Sequence, residues 1–184
     1  LSLHDALPIY GNVDEVELIL NGKTIRRQTA DKGPDSDYIP VPNGGNGKNL
    51  HFPPFTFYGV PKERGVLKAV GYHQGKKVAE YTVKTPGVPE RLDITYFESG
   101  KPATKNDLLI VYVRMLDKQG VLCPVNGIPV ELSVQGGEIV GPTSYPLEAG
   151  VASFLVRTGE ISKININATG KGFSTRKSLK VGKE

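Results

Sequence analysis

The 184-residue chain has no tryptophan, a single cysteine and three histidines, and no apolar run in it approaches the ~20 residues needed to span a bilayer. Each absence closes a class of function. With Cys123 alone there is no intrachain disulfide and no cysteine-rich metal site; placed before Pro124 without catalytic context, Cys123 reads as a small buried hydrophobe. The lack of tryptophan argues against a dedicated carbohydrate-binding module, and the lack of a long apolar run against membrane insertion. His4, His51 and His73 lack the close spacing of a zinc-binding pair, and exposed loop or strand-end positions suit them better. Lys and Arg outnumber Asp and Glu by 23 to 19, for a net charge of +4. The cations are scattered, bunching only at Arg176-Lys177 and from position 180 to 183, which reads as a solvated terminus. A nucleic-acid partner calls for a basic stripe interleaved with aromatics on one face, and none is expected here.

What the sequence does contain is turn residues, with 22 Gly and 14 Pro, and apolar alternation with a period of two. Val16, Leu18 and Leu20 alternate with Glu15, Glu17 and Ile19; Asn21-Gly22 then supplies two residues tolerant of positive φ, and an extended pattern resumes. This is a β-hairpin, because a type I′ turn matches the right-handed twist of its strands. The same period recurs in Leu109, Val111, Val113 and Met115, in Val130, Leu132 and Val134, and in Ile164, Ile166 and Ala168, each a strand with one buried face. Helical periodicity is hard to find. Extended runs are predicted at 14–20, 23–29, 55–58, 66–73 and 77–84, then at 91–96, 108–116, 129–135, 151–157, 163–169 and 174–181.

Between the two groups, Pro86 and Pro89 bracket a short, semi-stiff joint. The chain therefore divides into a domain at 10–85, a linker at 86–89 and a domain at 90–181. Its length suffices for two small cores. The fold class is all-β, as two tandem immunoglobulin-like β-sandwich domains, which the strand spacing favours over barrels.

Chemistry-bearing patterns are sparse. Asp31, Asp35 and Asp37 share a turn-rich loop but lack the spaced donors, central glycine and closing glutamate of a calcium loop. Gly44-Gly45-Asn46-Gly47-Lys48 departs from a phosphate loop in its glycine offset, in Asn49 where a hydroxyl residue belongs, and in having no helix after it. There is no Gly-x-Ser-x-Gly elbow. No metal ligand set or cofactor motif emerges. Asn167-Ala168-Thr169 fits a glycosylation sequon and reads as a chance match.

The wording of particular segments carries more than their pattern. Residues 10–29 (YGNVDEVELILNGKTIRRQT), then Pro53-Pro54-Phe55-Thr56-Phe57, residues 65–72 (GVLKAVGY), Gly75-Lys76-Lys77-Val78-Ala79 and Lys84-Thr85-Pro86-Gly87 resemble, in the same order, a non-catalytic module of β-galactosidase-like glycoside hydrolases. Leu116-Asp117-Lys118-Gln119-Gly120, residues 125–130, Gly136-Gly137-Glu138-Ile139, Gly150-Val151-Ala152 and Ile166-Asn167-Ala168 look like the bacterial immunoglobulin-like domains of invasin-type adhesins and of the tails of those same glycosidases. The order of the two modules is similar to the C-terminal part of a family 2 glycoside hydrolase. An adhesin is expected to repeat the second type, and no fixed-period repeat is visible. Residues 1–9 (LSLHDALPI) are instead similar to a translated sequencing adaptor. On that reading they are foreign and the first strand is truncated, leaving an exposed sheet edge; the alternative is a native edge strand at 7–10.

This resemblance implies an accessory region whose partner is the catalytic domain of the same parent chain, with periplasmic or secreted location expected for that parent. The alternative is a carbohydrate-binding or adhesin-type module of a bacterial surface protein. Glycoside hydrolysis needs two carboxyl groups ~5–9.5 Å apart. No glutamate here maps onto those of the family's barrel domain, so no catalytic residue is assigned and Glu15 and Glu17 are read as a solvated strand face. One departure from the family is the long segment 30–51. It carries Tyr38 and is followed by His51 and Phe52, whose aromatic faces suit stacking on sugar rings. Carbohydrate contact by Tyr38, His51 and Phe52 is one reading; the other makes Phe55 and Phe57 core and the loop a cover for a sheet edge.

Overall fold

The computed structural model describes residues 6–31, 53–97 and 102–182. Among them there is no helix and there are fourteen strands. The chain separates into two compact units, Leu1–Thr85 and Pro86–Glu184, each with its own core.

In the first unit, β2 (Glu15–Leu20), β3 (Lys23–Thr29), β5 (Val66–His73) and β6 (Lys76–Lys84) form an antiparallel sheet in the order β3-β2-β5-β6, and β1 (Ala6–Ile9) pairs with β4 (Phe55–Tyr58) in a second sheet of two strands. The alternation of β2 sends Val16 and Leu18 inward against Phe55 and Phe57, the centre of this core. Phe55 and Phe57 are thus core residues, each stabilising the fold by about 1.5–3 kcal/mol through burial of its ring. At the hairpin tip, Asn21 and Gly22 have φ of 51° and 80°, as a type I′ turn requires.

Ala6–Ile9 occupies an edge-strand position, in register from Ala6 with Tyr58 to Ile9 with Phe55, and Leu7 and Ile9 pack against the core. These residues act as part of the sandwich, whatever the origin of their coding sequence.

The second unit places β7 (Pro89–Tyr96), β8 (Leu108–Asp117), β10 (Gly137–Ile139) and β12 (Val151–Thr158) in one sheet, ordered β10-β12-β8-β7. The other sheet contains β9 (Pro129–Gln135), β11 (Ser144–Pro146), β13 (Lys163–Gly170) and β14 (Phe173–Lys180), ordered β11-β9-β13-β14. Both are antiparallel throughout. Val111, Val113, Met115, Val130, Ile164 and Ile166 meet between them in a single core. Cys123 is buried in the same core.

Two differences from the sequence reading have physical causes. The short strands β10 and β11 carry glycine and proline and too few apolar residues to show a period. Gly136-Gly137 is needed there because Gly136 has φ of 84° and a Cβ on Gly137 would lie 2.4 Å from the Arg157 carbonyl oxygen. Arg176, Lys177 and Lys180 of the basic C-terminal stretch lie on the edge strand β14 and not in a solvated tail: Leu179 and Val181 are buried, and the Lys177 ammonium lies 5.6 Å from the Tyr96 ring centroid. Its aliphatic stem lets a cation sit at an inward position.

Candidate functional site

A polar constellation lies on the outward face of the four-stranded sheet in the first unit. With Val16 and Leu18 directed inward, β2 must direct Glu15 and Glu17 outward. In the antiparallel register Glu17 lies opposite Arg27 of β3 and Glu15 opposite Tyr72 of β5, which brings both partners to that face. The Tyr72 hydroxyl donates to Glu17 Oε2 at 2.7 Å, and Thr24 Oγ1 donates to Glu17 Oε1 at 2.7 Å. Arg27 Nη2 donates to Glu15 Oε2 at 2.6 Å, and the guanidinium sits 3.8 Å from the Tyr72 ring centroid.

The electrostatics run against acid catalysis. The hydrogen bond from Tyr72, followed by that from Thr24, holds the Glu17 carboxyl below its usual range, and the same bond to Glu17 raises Tyr72. A glycosidase acid needs the opposite shift, so that it carries a proton at neutral pH. Both Glu17 oxygens already accept bonds, and the group lies on an open sheet face. Its chemistry is cross-strand pairing.

The other candidates serve similar ends. Asp31 Oδ1 accepts from the Thr56 amide at 3.2 Å and its Oδ2 from Thr56 Oγ1 at 2.5 Å, so this carboxylate ties the end of the β3 segment to β4. Asp14 accepts from the Gln74 amide at 2.6 Å and lies 3.1 Å from His73 Nδ1, which makes His73 a strand-end residue at a turn. Among the described residues no group of three His, Cys, Asp or Glu side chains converges as a metal site. Tyr38, His51 and Phe52 lie outside the described residues, as do Asp35, Asp37 and the segment 44–48.

Two polar hubs escaped the sequence reading. Asn21 does more than turn the hairpin: its Oδ1 accepts from the Val66 amide at 2.8 Å and its Nδ2 donates to the Arg64 carbonyl at 3.1 Å. Gly65 between them has φ of 144°, and a Cβ there would fall 1.8 Å from Asn21 Oδ1. The Gly65 amide in turn donates to Thr85 Oγ1, and the Thr85 amide donates back to the Gly65 carbonyl. In the second unit the buried Asp117 carboxylate accepts from the amides of Gly87 at 2.7 Å, Val121 at 2.8 Å and Gln119 at 2.9 Å. Asp117 and Gly120 are the first and fourth residues of a turn closed by the Gly120 amide on the Asp117 carbonyl, a spacing visible in the sequence as Asp-x-x-Gly.

Comparison with known proteins adds what the geometry lacks. Residues 6–79 match a family described as a domain of unknown function, DUF4982. The chain is 30% identical over 166 residues to a β-galactosidase of Thermoanaerobacter pseudethanolicus, an alignment covering 84% of this chain and 20% of that protein. It is also 30% identical over 129 residues to a β-galactosidase of Rhizobium radiobacter, covering 69% of this chain and 92% of that one. Among solved structures, a glycosyl hydrolase family 2 member from Bacteroides cellulosilyticus superposes with a TM-score of 0.71 at 24% identity, over 95% of this chain and 24% of that chain. A β-glucuronidase from glycoside hydrolase family 2 gives a TM-score of 0.73 at 21% identity, over 97% of this chain and 18% of that chain. The chain thus spans 20% of the Thermoanaerobacter protein, and 13% of a further β-galactosidase, from Bacteroides ovatus.

Proposed function

The chain belongs to the β-galactosidase-like glycoside hydrolases of family 2, and on that premise we propose that it is an accessory region that supports and positions the catalytic domain of a longer parent chain. The observation that carries this reading is the disproportion of coverage: 84% of this chain aligns with 20% of a β-galactosidase. A second support is chemical, since Glu15 and Glu17 on the described sheet face of the first unit are taken up in cross-strand hydrogen bonds. The parent hydrolyses a β-galactoside or a related glycoside, and its location is periplasmic or secreted.

The test is to assay the longer protein and a version lacking residues 10–181 on nitrophenyl β-galactoside and β-glucuronide. The longer protein turns over one of them, and the deletion inactivates at a lower temperature or loses soluble yield. A longer protein made only of further sandwich modules, without glycosidase activity, removes this reading in favour of a surface-binding array. Sugar contact by Tyr38, His51 and Phe52 belongs to the same proposal. Tyr38→Ala in the longer enzyme then raises KM on a polysaccharide while leaving the small chromogenic substrate unaffected; an unchanged KM takes the loop out of the substrate path.

A further inference from the structure

The two outward faces of the second unit differ in kind. On the sheet ordered β11-β9-β13-β14, the outward positions are polar: Glu131 and Ser133 on β9, Asn165 and Asn167 on β13, Arg176 and Ser178 on β14. That is the ordinary condition of an antiparallel sheet with one solvated side. On the sheet ordered β10-β12-β8-β7 the corresponding row is apolar across its full width. Ile110 of β8 lies opposite Leu155 of β12; the Phe97 amide bonds to the Ile110 carbonyl, and the Val140 amide to the Leu155 carbonyl. The row Phe97, Ile110, Leu155, Val140 is flanked by Leu108 and Tyr112. Phe97 is 60% exposed, Leu108 50%, Ile110 44% and Val140 37%.

The sequence of β8 agrees. Leu108-Leu109-Ile110-Val111-Tyr112-Val113 is a near-continuous apolar run, the pattern of a strand covered on both faces. Here the inward residues Leu109, Val111 and Val113 are buried while Leu108 and Ile110 are open. The charges that border the row are already neutralised within it: Arg114 pairs with Asp93 at 2.5 Å, and Arg157 pairs with Glu138. A covering surface would meet paired ions and not isolated ones, which lowers the desolvation cost of contact.

We infer that this apolar row is the docking face for the catalytic domain of the longer parent chain, an inference that rests on the accessory-region reading above. Area decides between that occupant and a second copy. The six side chains leave on the order of 350 Å² accessible, the size of the largest patch on a typical monomer. That is less than half of the ~800 Å² per partner in a standard interface between separate proteins. A domain tethered in the same chain needs less, because the tether holds it at an effective concentration in the millimolar range.

Because Cys123 is the only cysteine and is buried, Ile110→Cys places one reactive thiol in the row, and Ser133→Cys places one on the polar face as a control. Thiol labelling is followed in the 184-residue chain and in the longer protein. The thiol at 110 labels readily in the short chain and at least about tenfold more slowly in the longer protein, as expected of an amino acid shielded by a packed neighbour, while the thiol at 133 labels alike in both. Equal rates at 110 overturn the inference, and so does equal slowing of both thiols. A short chain that sediments as a dimer at micromolar concentration, and returns to monomer with Ile110→Ser, overturns it in favour of a second copy. Glycosidase activity is read separately. A protected row in a longer protein that hydrolyses nothing keeps the face and discards the glycosidase reading, whereas a reactive row in an active enzyme does the reverse.

Discussion

Asn21, Gly65 and Asp117 show how single polar side chains set the ends of elements in this protein. Asn21 is held at φ of 51° and bonds to both sides of Gly65, so Asn21→Ala loses two hydrogen bonds and a residue type suited to that φ. A destabilisation of about 1–2 kcal/mol follows, read as a shift in urea midpoint at unchanged slope. Gly65→Ala meets Asn21 Oδ1 directly, and at a φ that alanine rarely adopts it costs about 2 kcal/mol or more. Asp117 makes a prediction about pH. The Gly87 amide first, then that of Val121, holds its carboxyl below the usual range. A group whose pKa is depressed on folding contributes stability that is complete above its unfolded value near ~3.9 and is lost as pH falls through the folded value. Asp117→Asn therefore lowers the melting temperature at pH 7 by several degrees. The gap between variant and parent narrows below about pH 4. A gap independent of pH would show that the carboxylate charge contributes nothing at this hub.

Elements were legible in proportion to how regularly their residues alternate. The eleven expected strands are present, with ends within two residues of those predicted; in strands as different as β2 and β13, burial on one face imposes the period of two that made them readable. The short β10 and β11 were not legible, since their pairing depends on Gly136-Gly137 and on register set by longer neighbours. Two hairpin turns were also only partly legible. Gln74-Gly75 and Lys171-Gly172 adopt the same pair of positive φ values as Asn21-Gly22, at 49° and 73° and at 49° and 80°, though neither glutamine nor lysine favours that conformation. Replacing each by the residue that does is expected to stabilise. Gln74→Asn and Lys171→Asn should each add about 0.5–1 kcal/mol, measured by denaturant unfolding. The candidate site was less legible than the fold. Sequence alone placed Glu15 and Glu17 on an outward face but could not supply Thr24 and Tyr72, which reach Glu17 only through hairpin register and pairing with β5. It also passed over Leu108 and Ile110, whose outward position breaks the alternation that made the rest of β8 readable.

At the scale of the whole molecule, the carboxyl groups speak to what the chain can do alone. Asp14, Glu17, Glu80, Asp117 and Glu160 depart from their ordinary values, and all of them depart downward, through bonds from Gln74, Tyr72, Lys77, Gly87 and Asn106 respectively. Hydrolysis of a glycoside requires one carboxyl that keeps its proton at neutral pH beside one that has lost it, both at the edge of a cleft that holds the sugar. Among the described residues these shifts supply the second kind and not the first. Both core clusters close around apolar side chains, and the Glu15, Glu80, Glu138 and Glu160 carboxylates each lie in an ion pair. Incubation of the 184-residue chain with nitrophenyl β-galactoside from pH 4 to 8 is therefore expected to give no turnover above buffer. Turnover that persists through repurification, and that falls with Glu17→Gln, would place a protonated acid on the sheet face and reverse the reading of the Glu17, Thr24 and Tyr72 constellation as purely structural. Turnover unaffected by that substitution would instead direct attention to a carboxyl outside the described residues.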